Sequence, residues 1–160
     1  MSKEKTTTYE SESQSATYAL AADVIEKLLS DKRKGALVVA LHGELGAGKT
    51  QFVKGAADFL GIMEVVTSPT FLILRSYPVP AGRSVQKLYH LDCYRVHDAH
   101  EVLALGWEDF VAKSDNIVFV EWAERVQDIL PADTVHVHIR NKGECGRSFL
   151  FTTQTAHATK

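Results

Sequence analysis

The stretch ALVVALHGELGAGKTQFVKGAADFL, residues 36–60, decides the fold. Ala36 to Leu41 form a nearly unbroken apolar run, the pattern of a strand buried on both faces. Phe52, Val53, Ala56, Phe59 and Leu60 then recur at helical spacing, and Gly61 stops the run. Between them lies GELGAGKT, with Gly43, Gly48, Lys49 and Thr50 in the spacing G-x-x-x-x-G-K-T. Glycines accept backbone angles that side chains forbid, so successive N–H groups can turn inward around an anion. A helix starting at this point aims its free N–H groups and positive dipole end at the same place. Lys49 adds a charge for the outer phosphates, and the Thr50 hydroxyl suits a magnesium ion. The loop, residues 43–51, is therefore expected to cradle a nucleotide's phosphates through Glu44, Leu45, Gly46, Ala47, Gly48, Lys49, Thr50 and Gln51.

Outward from this loop, the pattern predicts a helix from Ser15, with Leu20, Val24, Ile25 and Leu28 on one face and Ser13 or Ser15 as its cap. Short strands are expected at residues 64–66, 71–77 and 87–92, and a buried strand at IVFVE, residues 117–121. TVHVHIR alternates apolar and polar residues, and RSFLFTT pairs with it most simply as an antiparallel hairpin. Helices are expected after Asp98, around WEDFVA and before Pro131. Together these give an α/β core with a mixed sheet.

The chain's 160 residues suit one domain, of which roughly 68–70% of the unfolded surface would be buried. The first 12 residues read as a polar, disordered tail, residues 13–153 as the single domain, and residues 154–160 as a C-terminal tail. A net charge of −2 gives no strong pull toward DNA, RNA or an anionic membrane. Cys93 and Cys145 make no disulfide framework, MSKEKTTTYE is not a signal peptide, and no apolar run nears the ~18 residues of a membrane span. These features are those expected of a cytoplasmic protein.

A phosphate loop alone does no chemistry; an acid near the metal and a group that positions water are also needed. Glu121 closes the apolar strand IVFVE and is the candidate for the metal, with a solvent-facing strand-end acid as the plainer alternative. Asp92, in HLDCYR, would orient water or join the metal's shell; alternatively it is a turn aspartate paired with Arg95. Thr67, Ser68 and Thr70 in TSPTF suit a loop that orders around a terminal phosphate, or an ordinary turn. His90, Asp92, Cys93, His97 and His100 match no zinc spacing, so His90 reads as a packed or hydrogen-bonding histidine. NKGE, residues 141–144, lacks the final Asp of a guanine-selecting motif and reads as a hairpin turn.

GELGAGKT, TSPTF, HLDCYR and VEWAE, in this order in so short a chain, resemble the TsaE family, the bacterial ATPase component of threonylcarbamoyladenosine tRNA modification. The resemblance covers residues 13–152. It implies a three-layer P-loop NTPase-like fold with a mixed sheet and added antiparallel strands. It also implies ATP and Mg²⁺ as ligands, the transferase subunits TsaD and TsaB as partners, and tRNA as an indirect one. Matched position by position, it implies that Lys49 and Thr50 serve phosphate and magnesium, that Asp92 is catalytic, and that Glu121 is the acid of the metal shell. Residues 67–71 match a switch-like loop. Thr17 falls in the region lining the base side of the nucleotide, and Arg147 matches an arginine near the last strand. Cys93 stands where a larger apolar residue is common. A small-molecule kinase, or a nucleotide-dependent binding module without hydrolysis, remain the other classes that the loop allows.

Overall fold

The computed structural model describes residues 3–155. Its strands are β1 (Lys3–Ser11), β2 (Leu37–His42), β3 (Leu74–Pro78), β4 (Lys87–Asp92), β5 (Asn116–Glu121), β6 (Val135–Lys142) and β7 (Gly146–Thr155). Its helices are α1 (Gln14–Ser30), α2 (Lys49–Phe59), α3 (Ala99–Leu103) and α4 (Trp107–Val111), and a 3-10 helix spans Ala123–Ile129.

All the strands join one seven-stranded sheet in the order β1-β7-β6-β2-β5-β4-β3. β2 runs parallel to both β5 and β6, and β4 runs parallel to β5. β3, β7 and β1 add to this core as antiparallel strands. β2 and β5 are almost wholly buried because both their faces are covered, which is why they read as continuous apolar runs. On one face Leu37, Val39, Leu41, Leu88, Ile117 and Phe119 pack with Ala21, Ile25, Phe52, Val53 and Ala56 of α1 and α2. On the other, Val38, Ala40, Leu91, Val118 and Val120 pack with Val102, Trp107, Phe110 and Val126 of the shorter helices. The result is a three-layer α/β fold.

Ser13 caps α1, its Oγ accepting from the Ala16 N–H at 3.1 Å. α1 and α2 approach closely at Gly55, where an added Cβ would lie 2.9 Å from the Tyr18 Cα.

Four expectations need correction. Lys3–Ser11, expected as part of a disordered tail, forms β1 and pairs along its length with β7. Residues 64–66 form no strand: Glu64 and Val65 stay exposed, and only Val66 is buried. The strand expected at residues 71–77 begins only at Leu74, because the Leu72 and Ile73 N–H groups turn back to the Pro69 carbonyl. Of the expected C-terminal tail, Gln154 and Thr155 extend β7, and residues 156–160 lie outside the described residues, as do residues 1–2.

Candidate functional site

The loop between β2 and α2 sits at the C-terminal ends of the parallel strands, where open α/β sheets bind ligands. Gly48 caps α2 with φ 105°, a left-handed angle that disfavours any side chain. No side chain caps this helix, so its first N–H groups are left to other acceptors. Lys49 is 5% exposed, and its Nζ donates to the carbonyls of Gly43 at 2.5 Å and Glu44 at 3.0 Å. The same ammonium lies 4.2 Å from the centre of the Trp122 ring, a cation–π contact. Burial holds the Lys49 pKa below the usual lysine value, opposed by Glu121, Glu124 and Asp92.

Glu121 and Asp92 are register partners at the ends of β5 and β4. Both are buried, on the face that also carries α2. Glu121 is not a solvent-facing strand end: its Oε1 accepts from the Thr50 hydroxyl at 2.9 Å. Its Oε2 lies 2.8 Å from His90 Nε2. Asp92 Oδ2 accepts from Ser68 Oγ at 2.8 Å and Thr70 Oγ1 at 3.0 Å, and its Oδ1 from the Tyr94 N–H. The loop of residues 67–71 is thus fastened to Asp92 through Ser68 and Thr70. Thr67 points elsewhere, accepting from Arg75 Nη1 at 2.8 Å. Arg95 lies over the Phe71 ring.

Thr17, Gly48, Gln51 and Arg147 line one cavity of about 230 Å³, with Ser13, Gln14, Cys145 and Phe149. Thr17 is itself buried and hydrogen-bonded to Ser11 Oγ at 2.7 Å. Gln51 Oε1 is buried without a hydrogen-bond partner among the described residues, an acceptor left for something else. Leu45 is 79% exposed, while Ala47 is buried beneath the loop. Trp122 on Lys49 and Cys145 in the cavity were not singled out as ligand-facing from sequence. Trp122 takes a left-handed φ of 56°, which no local pattern announces.

The donor set tests the fit of the expected ligands. Hydroxyl and carboxylate oxygens at Thr50, Glu121 and Asp92 are hard donors of the kind Mg²⁺ takes, and it usually keeps only one or two carboxylates beside phosphate and water. Among the described residues no three His, Cys, Asp or Glu side chains gather to hold a metal by themselves. No helix among them is long and apolar enough to cross a membrane.

A strand–glycine loop–helix unit opening onto two strand-end acids, in a mixed sheet with helices on both faces, defines a P-loop NTPase-like protein. The sequence matches the family described as threonylcarbamoyl adenosine biosynthesis protein TsaE over residues 11–149, and the chain belongs to that family. It is 39% identical over 128 residues to the tRNA threonylcarbamoyladenosine biosynthesis protein TsaE of Bacillus subtilis, covering 80% of this chain and 77% of that one. It is 44% identical over 103 residues to the protein of the same name from Treponema pallidum, covering 64% of this chain and 72% of that one. The crystal structure of Bacillus subtilis YdiB aligns with a TM-score of 0.72 at 30% identity, over 97% of this chain and 88% of that one.

Proposed function

We propose that the protein binds ATP with Mg²⁺ and hydrolyses it slowly, in support of a complex that transfers threonylcarbamoyl to the adenosine beside the anticodon of tRNA. The observation that carries this reading is the Thr50–Glu121 hydrogen bond behind the loop, which joins the hydroxyl and the acid that a magnesium site needs. Thr50, with Glu121 behind it, would hold Mg²⁺. That ion, when bound, would neutralise charge on the outer phosphates. Lys49 and the first N–H groups of α2 favour the same negative charge. Asp92 accepts from hydroxyls in this structure and is suited to accept from a water in line with the terminal phosphate. The cavity lined by Thr17, Gln51 and Arg147 suits the base side of the nucleotide, where Gln51 Oε1 lacks a partner among the described residues.

Hydrolysis is expected to be slow in the isolated chain. Arg95 lies over the Phe71 ring, and Arg147, which donates to the Gly146 carbonyl, lies against Gly48, with Nε 3.4 Å from where a Cβ would stand, on the side of the Thr17 and Gln51 cavity. An arginine supplied by a partner is worth about 10³–10⁵ in rate. Leu45, Phe71 and Leu72 are largely exposed on the loops that carry the site, which suits docking of a partner there. TsaD and TsaB are the partners proposed, in the cytoplasm, with tRNA reached only through them.

The test is calorimetry of the purified chain with ATP, with and without Mg²⁺, followed by tRNA modification with TsaD and TsaB over repeated turnovers. Heat on ATP addition, and modified tRNA in excess of the complex only when this chain and ATP are present, support the reading. No heat with a folded protein overturns it.

A further inference from the structure

His90 lies fully buried on β4, on the face shared by Leu88 and Asp92. Its register partner on β5 is Phe119. Nε2 lies 2.8 Å from Glu121 Oε2. Nδ1 is buried with no hydrogen-bond partner among the described residues. An ionised carboxylate only accepts, so the short contact requires a proton on Nε2. In a neutral imidazole Nδ1 is then the bare nitrogen. A proton on Nδ1 instead would bury an unmatched N–H and turn a lone pair on Nε2 toward a carboxylate oxygen, the worse of the two arrangements.

An apolar residue would fill this place with no unmatched atom, so packing alone gives no reason for an imidazole. The contact with Glu121 does. Two side chains donate to that carboxylate, and only one is fixed. Thr50 is partly exposed, on the first turn of α2. His90 is 0% exposed and immobilised by the core around it.

We infer that His90 is a positioning residue: its Nε2–H fixes the orientation of Glu121 from behind and leaves Oε1 to Thr50 and the metal's shell. This inference rests on the magnesium-dependent reading given above. Partners of this kind, one step behind a metal-associated group, change metal affinity by about 10–100-fold when removed.

Two measurements on the full chain test it. Imidazole ¹⁵N spectra of the wild-type protein, without nucleotide, should place a proton on His90 Nε2; a bare Nε2, with the proton on Nδ1 alone, overturns the inference. Mg²⁺ titrations in the presence of ATP should then show half-saturation weakened about 10–100-fold in His90→Leu, with metal-free ATP affinity unchanged. His90→Gln, whose amide N–H reaches about as far as Nε2, should stay near wild type. His90→Asn, whose amide falls short, should behave as His90→Leu and serves in its place if that variant does not fold. Wild-type Mg²⁺ dependence in His90→Leu or His90→Asn, or equal damage in His90→Gln, overturns the inference. A wild-type chain that binds ATP indifferently to Mg²⁺ counts against the magnesium reading itself, while the spectra still decide where the proton sits.

Discussion

Thr50 at the start of α2 and Glu121 at the end of β5 are joined by a 2.9 Å hydrogen bond, although 71 residues separate them in sequence. The parallel pairing of β2 with β5 makes this possible, because it sets Leu41 opposite Glu121 and so brings the loop after β2 over the acid.

Glu121→Gln preserves the shape at this point but removes the charge and one acceptor oxygen. ATP should still bind, and Mg²⁺-dependent hydrolysis should fall by about 10²-fold or more. Parallel calorimetry and phosphate-release assays separate the two effects; equal loss of binding and hydrolysis would place Glu121 in the fold rather than at the metal.

Asp92→Ala removes the acceptor for Ser68, Thr70 and the Tyr94 N–H together. Hydrolysis should be lost with ATP binding retained. Amides of residues 67–72 should exchange faster with deuterium than in the wild type, because the side-chain bonds that fasten this loop to β4 are gone. Unchanged exchange there would show that the turn holds itself.

The two thiols should differ sharply. Cys93 is fully buried, and burial, with Asp92 and Glu124 adding to it, pushes its pKa up to about 12. Cys145 is exposed and lines the cavity with Gly48, Gln51 and Arg147. A chromogenic disulfide reagent should therefore label Cys145 promptly and Cys93 only after denaturation. ATP should slow the labelling of Cys145; labelling indifferent to saturating ATP would move the base elsewhere.

His42, His136 and His138 form a stacked group beside the loop, with His42 and His138 ring centres 4.5 Å apart and His42 bonded to His136 at 2.9 Å. His42 is held below the ordinary 6.5 by burial first, then by His138 and His136, with Glu124 acting the other way. His136 is lowered by burial and then by His138. The unfolded chain therefore takes up protons near pH 6.5 that the folded chain refuses. Stability is greatest above that pH and falls as pH drops toward the lowered folded values. Urea midpoints at about pH 7.5 and about pH 5.5 should show the loss, and His42→Gln with His136→Gln should reduce it.

The parts legible in the sequence are those with local signatures. β2 and β5 are covered on both faces and so are apolar throughout, and the glycine loop is bounded by a strand and a helix. Glu121 was legible because an acid closing a buried strand is unusual enough to ask for a role. β1 was not legible. Its residues KEKTTTYES are mostly exposed, since it is an edge strand, and its partner β7 lies at the other end of the chain. TSPTF announced a hydroxyl-bearing turn but not its pairing: whether Thr67 or Thr70 faces Asp92 depends on a turn at Pro69 and a left-handed Ile73, φ 64°. The His90–Glu121 contact crosses two strands, and its meaning depends on an unmatched atom that only coordinates reveal.

Lys49 is not waiting free for a guest: two carbonyls of its own loop and the face of Trp122 already hold its ammonium. The loop therefore carries its own antagonist. A small monovalent anion offers too little to dislodge those contacts, whereas a chain of phosphates touches the lysine and the helix amides at once. Under the proposed reading, selectivity for long polyanions would arise in this way from competition inside the protein, before any part of a base is recognised.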